Sequence, residues 1–396
     1  MTLAVDRGDG GGRTHWFNNP KLRAVVFQIL LLAIVLLIIL TGAWNAVENL
    51  ARQGRTLGFD FLGRTASFDI GQTPIEYTSL STNGRALLVG ITNTLIVAAL
   101  GIILATILGF IVGVARLSSN WIVAKIAMVY IEVVRNIPLL LQLLFWYGAV
   151  LKPLPGVRQS ITFGESIFLN NRGIFFPAAM PQAGSGLVGG AFLVGVLGAI
   201  GFAIWGKRKQ METGKRPPVL LVNLALVVGL PLLAFLAAGM PFTMDYPKVG
   251  GFNVTGGFRL QPEFVALLLG LSIYTAAFIA ETVRSGIRGV PHGQTEASGA
   301  LGLRSSHNLR LVVIPQAMRI IVPPLASQYL NLTKNSSLAV AIGYPDLVQV
   351  FSGTVLNNTN QAIECIGITM AVYLIISLSI AGFMNWFNKR VALVER

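Results

Sequence analysis

Charged side chains are scarce in this sequence: Asp, Glu, Lys and Arg together make only 12% of 396 residues. An ordinary soluble domain carries roughly a quarter, and so few charges cannot coat a water-facing surface of this size. Lipid is therefore the solvent for much of the chain. Cysteine is almost absent. Cys365, the one thiol, sits inside an apolar run. That excludes an internal disulfide framework and a Cys-based metal site, and leaves the reading of a small buried hydrophobe. The three histidines, His15, His292 and His307, are scattered outside the apolar stretches, so no metal site and no catalytic triad follows from them. A phosphate-binding loop is missing too. Gly201-Phe-Ala-Ile-Trp-Gly206-Lys207-Arg208 copies part of its spacing but ends in Arg where Ser or Thr is needed. It also closes an apolar span with no strand before it. No nucleotide, metal, cofactor or catalytic site is expected within the chain.

What is abundant is apolar: 54% of residues are hydrophobic and the mean hydropathy is +0.68. Eight stretches come near the ~20 residues that a bilayer requires: 24–42, 86–115, 122–150, 185–206, 218–240, 262–283, 320–343 and 364–387. The expected fold is an all-α integral membrane protein. Residues 1–23 read as a basic, Gly-rich tail. Thr41-Gly42-Ala43 loosely resembles a signal-peptidase site, but the long leader and near-membrane length favour an uncleaved anchor over 24–42. The net charge of +14 falls in short loops between spans and not on one soluble face, which argues against nucleic acid as a partner. With the N-terminus placed in the cytoplasm, 19 Lys and Arg lie inside and 9 outside, Arg135 and Lys334 completing the 30. That bias puts both termini inside.

The segment 284–319 is too polar to span a membrane, yet Ala297, Ala300, Leu301 and Leu303 recur at helical spacing, with Pro291 near a helix start and Gly302 at its stop. Its physics allows two readings: a rigid knob for a partner or a helix lying among lipid headgroups. Elsewhere, charges at membrane depth cost about 2.5–3.5 kcal/mol on insertion scales and are seldom idle. Glu132, Arg135, Asn136 before Pro138, Gln142, Glu281, and Asn331, Lys334, Asn335, Ser336 and Ser337 are the candidates for a substrate pathway. Snorkelling, internal pairing and interhelical hydrogen bonding are the plainer readings of the same residues. Pro323-Pro324 and the polar run after them suggest a broken seventh helix lining a cavity. Two glycine pairs, Gly109/Gly113 and Gly186/Gly190, have the spacing for close helix contact.

Three motifs in order carry a resemblance. Glu296-Ala297-Ser298, then Gly302, then Val312-Val313-Ile314-Pro315 is similar to the EAA loop of ABC importer permeases, with Ser298 for Ala, Val312 for Ile and Ile314 for Leu. Glu281 to Glu296, with Arg284, Gly286, Pro291, Gly293 and Gln294, resembles the signature of the polar amino-acid permease family, as does Arg135-Asn136-Ile137-Pro138 through Gln142. Lys334-Asn335-Ser336-Ser337-Leu338, followed by Ile342-Gly343 and Asp346-Leu347, is the third match. The resemblance spans roughly 86–388 and implies a five-helix permease core made of spans two, three, six, seven and eight. The 24–42 helix is then an addition, 152–260 an inserted loop and helical hairpin, and 284–319 a cytoplasmic coupling loop. Pro291, Gly293, Glu296, Ala297, Ser298, Ala300, Leu301, Gly302 and Pro315 would meet the ATPase, Glu296 anchoring the helix and Gly302 allowing the turn after it.

The implied partners are a cytoplasmic ATPase dimer that binds ATP and Mg, a second related permease subunit or a self-copy, a periplasmic amino-acid-binding protein, and the L-amino acid itself. The implied location is the bacterial inner membrane. An ion-coupled secondary transporter is the rival, and it needs coupling carboxylates at mid-membrane with inverted repeats. Only Glu132, Glu281 and Glu364 lie in or beside spans, and no repeat is evident. A non-transporting scaffold is the third possibility, opposed by the internal polar residues.

Overall fold

The computed structural model describes residues 20–52, 58–164, 166–215, 217–251 and 253–391. The 1–23 tail falls almost wholly outside the described residues. Ten longer helices organise the described residues. They are α1 (Pro20–Arg52), α2 (Asn83–Ala115), α3 (Trp121–Asn136), α4 (Leu139–Leu151), α5 (Ser185–Thr213), α6 (Val219–Ala237), α7 (Pro262–Arg288), α8 (His292–Ala300), α9 (Ile314–Asn335) and α10 (Ala362–Val391). Seven described helical segments are long and apolar enough to cross a membrane, and the bent pair α3–α4 raises the number to eight. The all-α membrane class and the span number expected from sequence both hold.

Local chemistry sets the starts. Thr82 Oγ1 accepts from Arg85 N at 3.2 Å ahead of α2, and Asn120 Oδ1 accepts from Ile122 N at 3.0 Å ahead of α3, each satisfying an orphan donor of a first turn. Pro262 opens α7, where its missing N–H costs nothing.

Helix α7 is the hub. Of its span, 61% is buried, against 11% in α5 and α10. Glycines let its neighbours close in. A Cβ on Gly109 of α2 would lie 2.6 Å from Ile279, and one on Gly113 would lie 2.7 Å from the Ala280 carbonyl. On α7 itself, Gly270 has no room beside Leu143 of α4, and Gly286 none beside Ile321 of α9. Leu267, Leu271, Ile279, Val283, Ile321 and Leu332 fill the resulting core. Gly186 and Gly190 meet nothing within 4 Å. The α5–α6 hairpin closes instead through Gly195 against Leu226 and Gly206 against Val219.

Several expectations change. Pro323 and Pro324 lie inside a continuous α9 and do not break it. Their φ is already helical, and packing of α7 and α10 on α9 holds the flanking turns. The break comes later, at a 3₁₀ segment Ser336–Ile342 that ends on Gly343 with φ +76°. There Ser336 Oγ donates to Thr333 O and Ser337 Oγ to Lys334 O, both at 2.7 Å, and hydroxyls that take such carbonyls compete with the α ladder. The polar segment 284–319 is not one loop: α7 runs to Arg288, and helix resumes at Ser305–Asn308 and a π turn Leu309–Val313 before α9. The third span does not cross straight, because α3 and α4 meet at 104° around Ile137-Pro138. The first helix runs on past residue 42 to Arg52, which pairs with Glu48 at 2.7 Å.

The inserted region holds short strands where loops were expected. β1 (Ile161–Phe163), β2 (Ile167–Asn170), β3 (Gly173–Phe176), β4 (Ala178–Pro181), β5 (Phe242–Asp245), β6 (Lys248–Val249), β7 (Val254–Thr255) and β8 (Phe258–Leu260) flank the hairpin. Antiparallel pairing gives one sheet β1-β2-β3-β8 and the ribbons β4-β5 and β6-β7. β8 leads directly into α7, so the strands sit at the end of the bundle opposite α8.

The glycine contacts predict an asymmetry. Gly113→Leu should lower stability by about 1–3 kcal/mol or more through overpacking, read as a drop in thermal midpoint of the solubilised protein. Gly190→Leu should leave the midpoint unchanged.

Candidate functional site

Four groups of polar or exposed residues stand out on the helical frame. The first is α8. Pro291 occupies its cap position and Ser298 alone turns inward, its Oγ donating to Thr295 O at 2.9 Å. Pro291, Gly293, Glu296, Ala297, Ala300 and Gly302 are exposed, and Leu301 is 82% exposed. An apolar side chain this bare at the tip of a helix marks an unfilled contact. Glu296 Oε1 lies 3.0 Å from His292 Nδ1 one turn back, an exposed contact on the helix itself. Gly302 has φ +75°, and Leu303 N donates to Ser298 O at 3.2 Å, folding the chain back at the helix end. Gln316 Nε2 donates to Gln294 Oε1 at 3.3 Å, tying α8 to the start of α9 beside Pro315.

The second group is a polar stripe along α9. Pro324, Ser327, Asn331 and Lys334 are exposed at helical spacing on a segment that is otherwise packed. Lys334 makes no ion pair among the described residues. Together with Ser337, Thr369, Tyr373 and Ser377 it lines a cavity of about 640 Å³ between the end of α9 and α10. A bare ammonium facing hydrocarbon is costly, so this face calls for water or protein against it. Asn335 is half-buried and Ser336 buried, its hydroxyl spent on Thr333.

The third group sits at the α3–α4 bend. Glu132, Arg135, Asn136 and Pro138 are exposed there. Arg135 lies over the Phe278 ring at 5.1 Å, a cation–π contact to α7. Asn136 Nδ2 donates to Glu132 O at 2.6 Å. Gln142 is buried, and its Nε2 donates to Val134 O and Ile137 O, both at 2.9 Å. It thereby satisfies carbonyls that the end of α3 leaves orphaned, a structural duty. Glu281 is engaged as well: Arg284 grips it with Nε at 2.9 Å and a terminal nitrogen at 2.5 Å. The candidate pathway residues therefore divide into two exposed clusters, around Lys334 and around Arg135, with Gln142, Glu281 and Ser336 held internally.

A fourth group carried no role in the sequence. Asn93 and Thr94, fully buried on α2, pin the segment after Gly343. Asn93 Nδ2 donates to Pro345 O at 2.8 Å and to Gln72 O at 2.9 Å, and Thr94 Oγ1 accepts from Leu347 N at 3.0 Å. Asp346, also buried, accepts from Gln349 N at 2.8 Å and caps the π-helical turn Val348–Val355. Tyr373 of α10 donates to its other oxygen at 3.4 Å. The signal was available: two adjacent polar residues inside an apolar span, and an Asp just before a helical run.

Comparison with known proteins places these features. Residues 217–393 match the family described as "Binding-protein-dependent transport system inner membrane component". The chain is 53% identical over 389 residues to the General L-amino acid transport system permease protein AapQ of Rhizobium johnstonii, covering 98% of this chain and 97% of that protein. It is 50% identical to the putative amino-acid ABC transporter permease protein YhdX of Escherichia coli, over 96% of this chain and 97% of the other. It is 42% identical to the glutamate/glutamine/aspartate/asparagine transport system permease protein BztB of Rhodobacter capsulatus, over the full length of both.

Replacing Asn93 by Leu should strand two carbonyls, Gln72 O and Pro345 O, at a cost of about 1–3 kcal/mol. The checks are a lower thermal midpoint and faster hydrogen exchange confined to 343–359. Unchanged exchange there means that Asn93 does not pin the segment.

Proposed function

The chain belongs to the permease subunits of amino-acid ABC importers, and from that membership we propose that it lines, with a second permease subunit or a copy of itself, the path by which L-amino acids cross the bacterial inner membrane. The observation that carries the proposal is the polar stripe Ser327, Asn331, Lys334 on the exposed face of α9, beside a cavity of about 640 Å³. Lipid cannot cover that face, whereas a partner permease enclosing a hydrated path can. Lys334 is suited to a substrate carboxylate and Asn331 and Ser337 to its hydrogen bonds.

In this reading α8 stands on the cytoplasmic side, where a separate ATPase dimer binds ATP and Mg and grips Ala297, Ala300 and Leu301. The loop-charge bias supports that side for α8 and for both termini. Nucleotide binding then favours one arrangement of the helices by its differential affinity. A periplasmic amino-acid-binding protein delivers substrate at the opposite end, where the strands of 152–184 and 241–261 offer a surface. An ion-coupled mechanism is less well served. Glu281 is neutralised by Arg284, and Glu364 accepts from Gly58 N at 3.0 Å, so two of three span-associated carboxylates are already engaged.

Uptake of labelled L-amino acids into inverted-topology-free membrane vesicles should continue with ATP inside and the proton gradient collapsed, and should stop without ATP. Uptake that follows the gradient instead overturns the reading. A crosslinker on Ala300→Cys should capture the ATPase subunit. Lys334→Gln should cut uptake about tenfold or more, the scale of one charged hydrogen bond, with the assembled complex recovered in normal yield.

A further inference from the structure

A second cavity, of about 470 Å³, opens at the strand end of the bundle. Its walls are the extended segment 68–71, the β8–α7 junction and the turn after α9, including Gly343, Pro345 and Gln349. Three charged residues line it: Asp69, Arg259 and Glu263. None of them forms an ion pair among the described residues, where the pairs are Arg52–Glu48, Arg284–Glu281 and His292–Glu296. Opposite charges thus share one small cavity without neutralising each other.

Arg259 and Glu263 are held in place by contacts that leave them able to bind. Arg259 donates from Nε to Arg172 O at 2.9 Å and rests over the Phe175 ring at 5.8 Å. Those contacts fix the guanidinium through one edge and one face and keep its terminal nitrogens for a planar anion. Glu263 accepts the Tyr147 hydroxyl on Oε1 at 2.8 Å, so Oε2 retains its lone pairs. Asp69 is exposed on its segment. The volume falls in the range of small-molecule sites. One cation and two carboxylates around such a space are complementary to a zwitterion such as an α-amino acid.

We infer that this cavity is a handover site for a free amino acid on the outer side, ahead of the membrane path. Arg259 takes the α-carboxylate, Asp69 and Glu263 take the α-ammonium, and the amino-acid side chain points to the open mouth. Recognition through the shared backbone groups suits a carrier of many amino acids. The turn 343–349 forms one wall and is covalently continuous with Ser337 and Lys334, so occupancy is felt by the segment that leads inward. The inference rests on the amino-acid transport reading above and assigns a site distinct from the Lys334 cavity.

The test uses the complete complex, with its ATPase and second permease, in vesicles and without receptor. The probe for binding is labelled L-glutamine, and the competitors are glutaramate, which lacks the ammonium, and 4-aminobutanamide, which lacks the carboxylate. Wild type should bind glutamine saturably and be displaced by neither analogue. Arg259→Gln should weaken glutamine binding about tenfold and let 4-aminobutanamide compete as well as glutamine does. Asp69→Asn, at an exposed position where folding is not at stake, should do the same for glutaramate. The assembled complex should be recovered in normal yield in both. An unchanged affinity and unchanged competition in the two variants overturns the handover site. ATP-driven uptake of mixed labelled L-amino acids by wild type, measured in the same vesicles after the binding protein is added back, keeps the two readings apart. Its absence overturns transport itself, whereas its presence beside unaltered competition overturns the cavity alone.

Discussion

Two glycines on α2, Gly109 and Gly113, bring that helix against Ile279, Val283 and the Ala276 and Ala280 carbonyls of α7, with no room for a side chain of their own. In lipid there is no hydrophobic gain from bringing helices together, so association depends on close van der Waals contact and on hydrogen bonds across the seam. Everything else is arranged on this contact. α4 reaches α7 through Gly270, α9 reaches it through Gly286, and the core residues Leu271, Ile279 and Ile321 are buried because the helices are this near. A bulkier residue at either α2 position would push the helices apart and open the core along much of its length.

The same seam explains the polar groups buried beside it. Asn93 and Thr94 lie on α2 above the glycines and hold the backbone of 345–347. Gly90, with only 3.0 Å between its Cβ position and Leu347 Cα, lets that backbone approach. The non-helical backbone near Gly343 is therefore satisfied by protein groups. Asp346 then caps the turn that leads into α10. This chain of contacts joins α2, the end of α9 and the start of α10 into one unit around the Lys334 cavity.

What was readable from sequence was whatever lipid dictates. Long apolar runs and the short polar helix after Pro291 are statements about solvent, and both are present in the fold as helices. Pro138 marked a discontinuity because the residue before proline avoids the α region, but nothing local set its angle at 104°. The strands were hidden because segments of two to four residues between Gly and Pro carry no periodicity to read. Pro323-Pro324 misled because the proline rule assumes that the ladder alone sustains a helix. In α9 the neighbours sustain it, and the hydroxyls of Ser336 and Ser337 end it. Among the candidate site residues, Lys334 and Asn331 stood out by charge and polarity and lie on an exposed face. Gln142 and Glu281 stood out equally and are engaged by α3 carbonyls and Arg284. Sequence shows that a polar residue needs a partner at membrane depth, not whether the chain already supplies it.

Force applied at α8 has few ways to dissipate. Its N-terminus follows α7 after Gly289 and Val290, and Val290 is largely buried. Its C-terminus turns at Gly302 into the helix that becomes α9, and the Gln316–Gln294 hydrogen bond bridges the two arms. A push on α8 therefore reaches α7 and α9 together. Packed helices shift between discrete arrangements and do not deform continuously. Gly286 holds one face of α9 to α7 at Ile321, whereas the stripe face of α9 meets none of these helices. Its far end carries Lys334 and Ser337 and continues into the turn that walls the outer cavity. Motion of this one helix would thus alter both cavities at once.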